Sequence, residues 1–150
     1  MGTNDPISTK MYKSVLSLGL IASTALAQSV SIGLPAAGAQ LSTGTPTTFQ
    51  IQRPDTLTGS QEIAVVIGIS KCNSGGRCAS PDESMGTVLY NGPFNPQFHE
   101  TALPPYQNFT LEIPESAATD NGLVTVAHFS LVGASAWPMV EYLNQSITVA

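Results

Sequence analysis

Acid–base or nucleophilic chemistry in this chain would have to run through two histidines, His99 and His128, or through pairs of its ten acidic side chains. A catalytic triad needs a nucleophile, a base and a group that orients the base, and it is defined by geometry rather than by spacing. His99 is followed by Glu100, but no second histidine falls at the spacing of a zinc-binding helix. His128 alternates with Phe129 in a run that reads as a strand; with Phe129 turned inward, His128 is expected to be half-exposed on the sheet. Glu112 with Glu115, or Asp82 with Glu83, could be nominated as a glycosidase pair, but nothing in the sequence raises them above solvated surface charge. Glu112 stands between inward-phase Leu111 and Ile113 and is read as an outward strand residue. A copper site built on an N-terminal histidine is ruled out where Gln28 opens the mature chain. No catalytic residue, metal or cofactor is expected, and the chain is read as a non-enzyme.

The other reactive pair is Cys72 and Cys78, six residues apart in Cys72-Asn-Ser-Gly-Gly-Arg-Cys78. Metal binding would need further ligands nearby, and a redox dithiol would have the closer two-residue spacing. In an oxidising compartment the expectation is a structural disulfide that stiffens one loop. That compartment is indicated by the N-terminus. Lys10 and Lys13 precede an apolar run from Val15 to Leu26, followed by small residues around Ala25 and Ala27. This is the pattern of a secretory signal peptide over residues 1–27, and its run of about 12 residues is short of the roughly 20 needed to span a bilayer. A start at Met11 would give a more compact head.

The mature chain, residues 28–150, has the size of one domain. It carries only Arg53, Lys71 and Arg77 against nine of the ten acids, which excludes binding driven by nucleic-acid phosphates. Nor is it a basic membrane-surface module, and a soluble secreted product is expected. Asn108-Phe-Thr110 and Asn144-Gln-Ser146 are N-glycosylation sequons whose asparagines share phase with polar neighbours and should point outward.

Seven extended segments separated by turn residues, without a long helical period, predict an all-β immunoglobulin-like two-sheet sandwich, with a jelly roll as runner-up. The organising strand is Gln61 to Cys72, in which Ile63, Val65, Ile67 and Ile69 form one bulky row and Ala64, Val66 and Gly68 a slimmer one. Asn91-Gly-Pro93 reads as a turn that closes a preceding short strand, and Leu123 to Val132 shows a phase slip that signals two-sided burial or a bulge. One helical turn is expected after Pro138.

Between Pro93 and Pro105 the chain is long and irregular, with Phe94, Phe98, His99 and the neighbouring Tyr106 clustered in it. Phe94, Phe98, His99 and Tyr106, together with the sole tryptophan, Trp137, are the candidate partner-binding residues. The competing reading has Phe94 and Phe98 folded back over the core and Trp137 packed at an edge.

In order along the chain, Ser31-Ile-Gly-Leu-Pro-Ala-Ala-Gly38, Arg53-Pro-Asp55, the strand from Glu62 to Ser70, Gly86-Thr-Val-Leu-Tyr-Asn-Gly-Pro93, Pro105-Tyr-Gln-Asn-Phe-Thr110 and Ala127-His-Phe-Ser-Leu-Val-Gly133 resemble the fungal necrosis-inducing secreted protein family. The resemblance covers nearly all of the mature chain. It implies a small secreted effector that binds host proteins and suppresses plant immune-receptor-associated kinases, with action inside host cells after secretion. The alternative is an extracellular cell-wall or carbohydrate-binding module, for which no clear row of exposed aromatics is legible in the sequence.

Overall fold

In the computed structural model, residues 1–2, 29–55 and 59–150 are described. The expected signal peptide therefore lies almost wholly outside the described residues. Among the described residues eight strands run in the order β1 (Ser31–Leu34), β2 (Ala39–Leu41), β3 (Pro46–Gln52), β4 (Ser60–Lys71), β5 (Thr87–Pro93), β6 (Tyr106–Glu112), β7 (Thr119–Val132) and β8 (Trp137–Val149). A three-stranded sheet, β1-β3-β6, faces a five-stranded one, β2-β8-β7-β4-β5, as a two-layer sandwich. The chain is all-β, as its alternating pattern requires.

The core lies where the two inner faces meet. Val65, Ile67 and Ile69 of β4 and Val124 and Val126 of β7 are buried against Phe49 and Ile51 of β3 and Phe109 of β6. β-branched residues dominate the five-stranded side because they fill a pleated surface at little rotamer cost. Ile147 and Val149 of β8 complete that layer.

Four local expectations are corrected. Ile63 does not join the inner row: the register slips between Glu62 and Ala64, and this bulge leaves Ile63 42 % exposed. Trp137 and Pro138 begin β8 instead of leading into a helical turn, because the tight turn at Gly133–Ala136 folds β8 straight back along β7. Asn91, Gly92 and Pro93 remain in β5, where they pair with Val66, Val65 and Ala64; β5 is an edge strand, which is where a ladder tolerates proline. The Gly- and Ala-rich connection contains an additional strand, β2, which pairs in parallel with the end of β8.

Of the two anticipated causes of the phase slip in Leu123 to Val132, two-sided burial is the one observed: Thr125 and Ala127 are buried on the outer face, and the pairing with β8 shifts only earlier, between Thr119 and Gly122. Thr125 is covered by the chain itself, its hydroxyl donating to the Met85 carbonyl at 2.8 Å. That approach requires glycine at two positions. A Cβ at Gly68 would strike the Met85 carbonyl oxygen, and at Gly86, where φ is +66°, it would strike the backbone of Ile69 and Ser70. Cys72 and Cys78 are disulfide-bonded at this same end of the sandwich.

Gly86→Ala and Gly68→Ala are each expected to cost more than about 2 kcal/mol in urea unfolding. Gly59→Ala, whose Cβ meets nothing within 4 Å among the described residues, should stay within about 0.5 kcal/mol.

Candidate interaction site

Strand register places three connections at one end of the sandwich. Gln52 closes β3 opposite Ser31 and Tyr106, the first residues of β1 and β6. Ser60 opens β4 opposite Val132, which also faces Trp137 at the start of β8. Residues 53–55 and 59, 94–105 and 133–136 therefore emerge together.

Residues 94–105 are held at both ends. Phe94 is 2 % exposed, its amide donates to the Ile63 carbonyl, and Pro105 accepts from the Arg53 amide at 2.8 Å. Within the segment, Gln97 and Tyr106 exchange both backbone hydrogen bonds. The His99 ring lies 4.3 Å, centroid to centroid, from that of Tyr106, whose hydroxyl donates to Glu100 at 3.0 Å. What the segment offers to solvent is Phe98, 63 % exposed, with Leu103 also exposed and a cavity of about 330 Å³ lined by Phe98, His99, Glu100 and Thr101. Trp137, across the same end, is 71 % exposed.

The partner-binding candidates thus separate. Phe98, His99 and Trp137 lie on the surface, while Phe94 and Tyr106 are buried. Phe94 packs its ring against Phe109 and, edge-on, against His128 at 5.4 Å. Its place as the first residue after β5 directs it back into the sandwich, so it anchors the loop and cannot touch a partner. Asn108 and Asn144 are exposed, and Asn108 accepts a hydrogen bond from Gln50. Glu112, Glu115, Asp82 and Glu83 are exposed as well.

His128 is the largest departure from expectation. It is 1 % exposed, not half-exposed, because the inner row of β7 is Val124, Val126, His128 and Ser130, while Phe129 faces outward. Its Nδ1 lies 2.9 Å from Glu141 Oε2 on β8 and its Nε2 lies 2.5 Å from Glu62 Oε2 on β4. Two carboxylates on the two ring nitrogens call for two N–H donors, which only the imidazolium has. Burial alone would lower the imidazole pKa, but the hydrogen bonds and charges of Glu141 and Glu62 raise it above its ordinary value. Burial would likewise raise both carboxylates. The His128 hydrogen bond instead draws each below its usual range, helped by Ser60 and Arg53 at Glu62 and by Ser29 and the Val30 amide at Glu141.

Around this pair of contacts, Ser60 Oγ donates to Glu62 Oε1 at 2.5 Å, Arg53 Nη1 lies 3.9 Å from the same oxygen, and the Val30 amide donates to Glu141 at 3.3 Å. Arg53 Nε and Ser130 Oγ are buried without a hydrogen-bond partner among the described residues. The arrangement neutralises itself, with two carboxylates set against an imidazolium and a guanidinium. Neither the Phe98 cavity nor the one lined by Gly59, Ser60, Gln61, Leu131 and residues of the 133–136 turn has His128 in its wall. Among the described residues no group of three or more His, Cys, Asp or Glu side chains is arranged to hold a metal ion.

Sequence reading missed Glu62, Glu141 and Arg53. For Glu141 a signal existed: continuing the inward phase of Val149 and Ile147 back by twos reaches it. For Glu62 none did, since alternation from Ile63 points it outward and only the bulge turns it in.

Fold and site together define a small disulfide-bearing β-sandwich with an apolar loop end held over an interior charge cluster. The chain belongs to the Nis1 family, a fungal effector family named for the necrosis-inducing secreted 1 protein, whose family model matches residues 25–148. It is thus an effector-like protein of a secreted family. Among curated proteins none matches. Similar solved structures include a superoxide reductase (neelaredoxin) from Ignicoccus hospitalis, with TM-score 0.47 and 11 % identity over 82 % of this chain and 81 % of that one. Another is the fusolin of Wiseana entomopoxvirus spindles, with TM-score 0.43 and 11 % identity over 77 % of this chain and 43 % of that one. Neither likeness bears on what this chain does.

His128→Leu strands two buried carboxylates and is expected to cost roughly 3–5 kcal/mol in urea unfolding at pH 6. Adding Glu62→Gln and Glu141→Gln to it should recover part of that loss, which a purely steric role for the imidazole would not produce.

Proposed function

We propose that this protein is a non-catalytic effector that binds host proteins through the loop end, with plant immune-receptor-associated kinases as the partner class. The observation that carries this reading is the placement of exposed Phe98 and Leu103 on a segment tethered at both ends to the sandwich. Apolar side chains held on a rigid mount lose little entropy on binding, which is what a contact anchor needs. Trp137 at the same end widens the surface. The family carries the effector role, and the kinase partner follows from the resemblance of the chain to that family. Action in the host cytoplasm after secretion, and glycans on Asn108 and Asn144 of the secreted form, belong to the same reading.

A second reading is an extracellular carbohydrate-binding module, favoured by the outer face of the five-stranded sheet. There Phe129, Val140 and Tyr142 are exposed, with Ala64 and Pro93 continuing the row across β4 and β5. This uncharged strip would stack on neutral sugars.

The deciding measurement titrates the protein into plant immune-receptor kinase domains and reads direct capture and autophosphorylation. Dose-dependent inhibition is expected, and Phe98→Ala with Leu103→Ala should weaken capture at least about tenfold without moving the melting temperature. Capture of no kinase in a broad panel, with retention on glucan or chitin lost in Tyr142→Ala, would replace the first reading with the second.

A further inference from the structure

The 94–105 loop is fastened at both ends to the interior charge cluster. At one end Phe94 packs edge-on against the His128 ring; at the other the Pro105 carbonyl accepts from the backbone amide of Arg53, the residue whose guanidinium lies beside Glu62. The N-terminal side of β1 is tied to the same cluster through the Val30 amide on Glu141. The charged groups facing His128 are Glu62 from β4 and Glu141 from β8, with Arg53 from the β3–β4 connection behind Glu62. Among the described residues no other ionisable side chain bonds to or pairs with this set.

We propose that the His128 proton gates the loop end: the loop is held in its contact form while His128 carries its proton between the two carboxylates, and is released when that proton leaves. Regulation of this kind rests on reading the loop end as the contact surface. Loss of the proton leaves one ring nitrogen with a lone pair facing a carboxylate oxygen at hydrogen-bond distance. It also leaves two buried carboxylates balanced only by Arg53. Such a group must hydrate, and water reaches it most directly by lifting the segments that cover it, Phe94 and the start of β1.

The direction follows from linkage. The raised folded-state pKa of His128 means that its contribution is fully present below the free imidazole value of about 6.5 and is lost as pH rises through the folded value. The lowered carboxylates set the other limit. Their contribution is present above about 4.3 and is lost as pH falls through their folded values. The loop end is therefore held most firmly in mildly acidic medium.

The test is amide hydrogen exchange between pH 5.5 and 9, corrected for intrinsic rates, together with NMR titration of the two histidines. Peptides covering residues 94–105 and 29–34 should open more as pH rises, by about tenfold for each unit by which the His128 pKa exceeds that of free imidazole. Peptides at the opposite end, residues 42–48 and 112–118, should not change. Glu141→Gln should lower the midpoint, and His128→Gln should flatten the profile. A flat profile in the unsubstituted protein, or a midpoint that Glu141→Gln leaves in place, would overturn the gate. If kinase capture is absent at pH 6 and pH 8 while the exchange profile holds, the host-protein reading fails and the gate stands on the exchange result.

Discussion

Two carboxylates face the interior of this sandwich from β4 and β8, and they can remain there only while a cation stands between them. That cation is the His128 imidazolium, on the strand that separates the two. Three neighbouring strands are thus cross-tied by one side chain, and the tie extends to the other sheet through Arg53 and to the first strand through Val30. A buried ion pair is weak evidence for stability by itself, because an apolar replacement could do as well. Its consequence is specificity of arrangement: with polar groups inside, any slip of register would strand a charge.

The two ends of the molecule are built on different physics. At the disulfide end, Met85 is laid over the sheet by hydrogen bonding to Thr125, and glycines at positions 68 and 86 permit close backbone contact. At the loop end, long-range ion pairs and a buried aromatic ring hold the connections, leaving Phe98, Leu103 and Trp137 in solvent. Between the ends, apolar packing of Val65, Ile67, Val124 and Val126 on Phe49, Ile51 and Phe109 supplies the bulk of the burial and is indifferent to pH.

A fold whose interior holds a histidine between two carboxylates has a stability that depends on pH. Both imidazole nitrogens are occupied, and the ring is sealed beneath Phe94, away from the neighbouring cavities.

What the sequence determined by itself was everything set by period, composition and local chemistry. The alternation of Thr47, Phe49 and Ile51 against Thr48, Gln50 and Gln52, the apolar run of β4 and the punctuation by proline and glycine specify strands and a two-layer core, because side-chain direction along a strand alternates strictly with residue number. The short cysteine loop and the family resemblance were equally legible. Tertiary structure decided what depends on a break in that alternation or on meetings far apart in the chain. The bulge at Ile63 turns Glu62 inward, and β8 brings Glu141 to His128 across a hairpin. Phe94 was separated from Phe98 by packing alone: four residues apart in one loop, one closes the core over the histidine and the other stays in water. Burial and charge pairing are properties of the assembled sheets, and no local pattern encodes them.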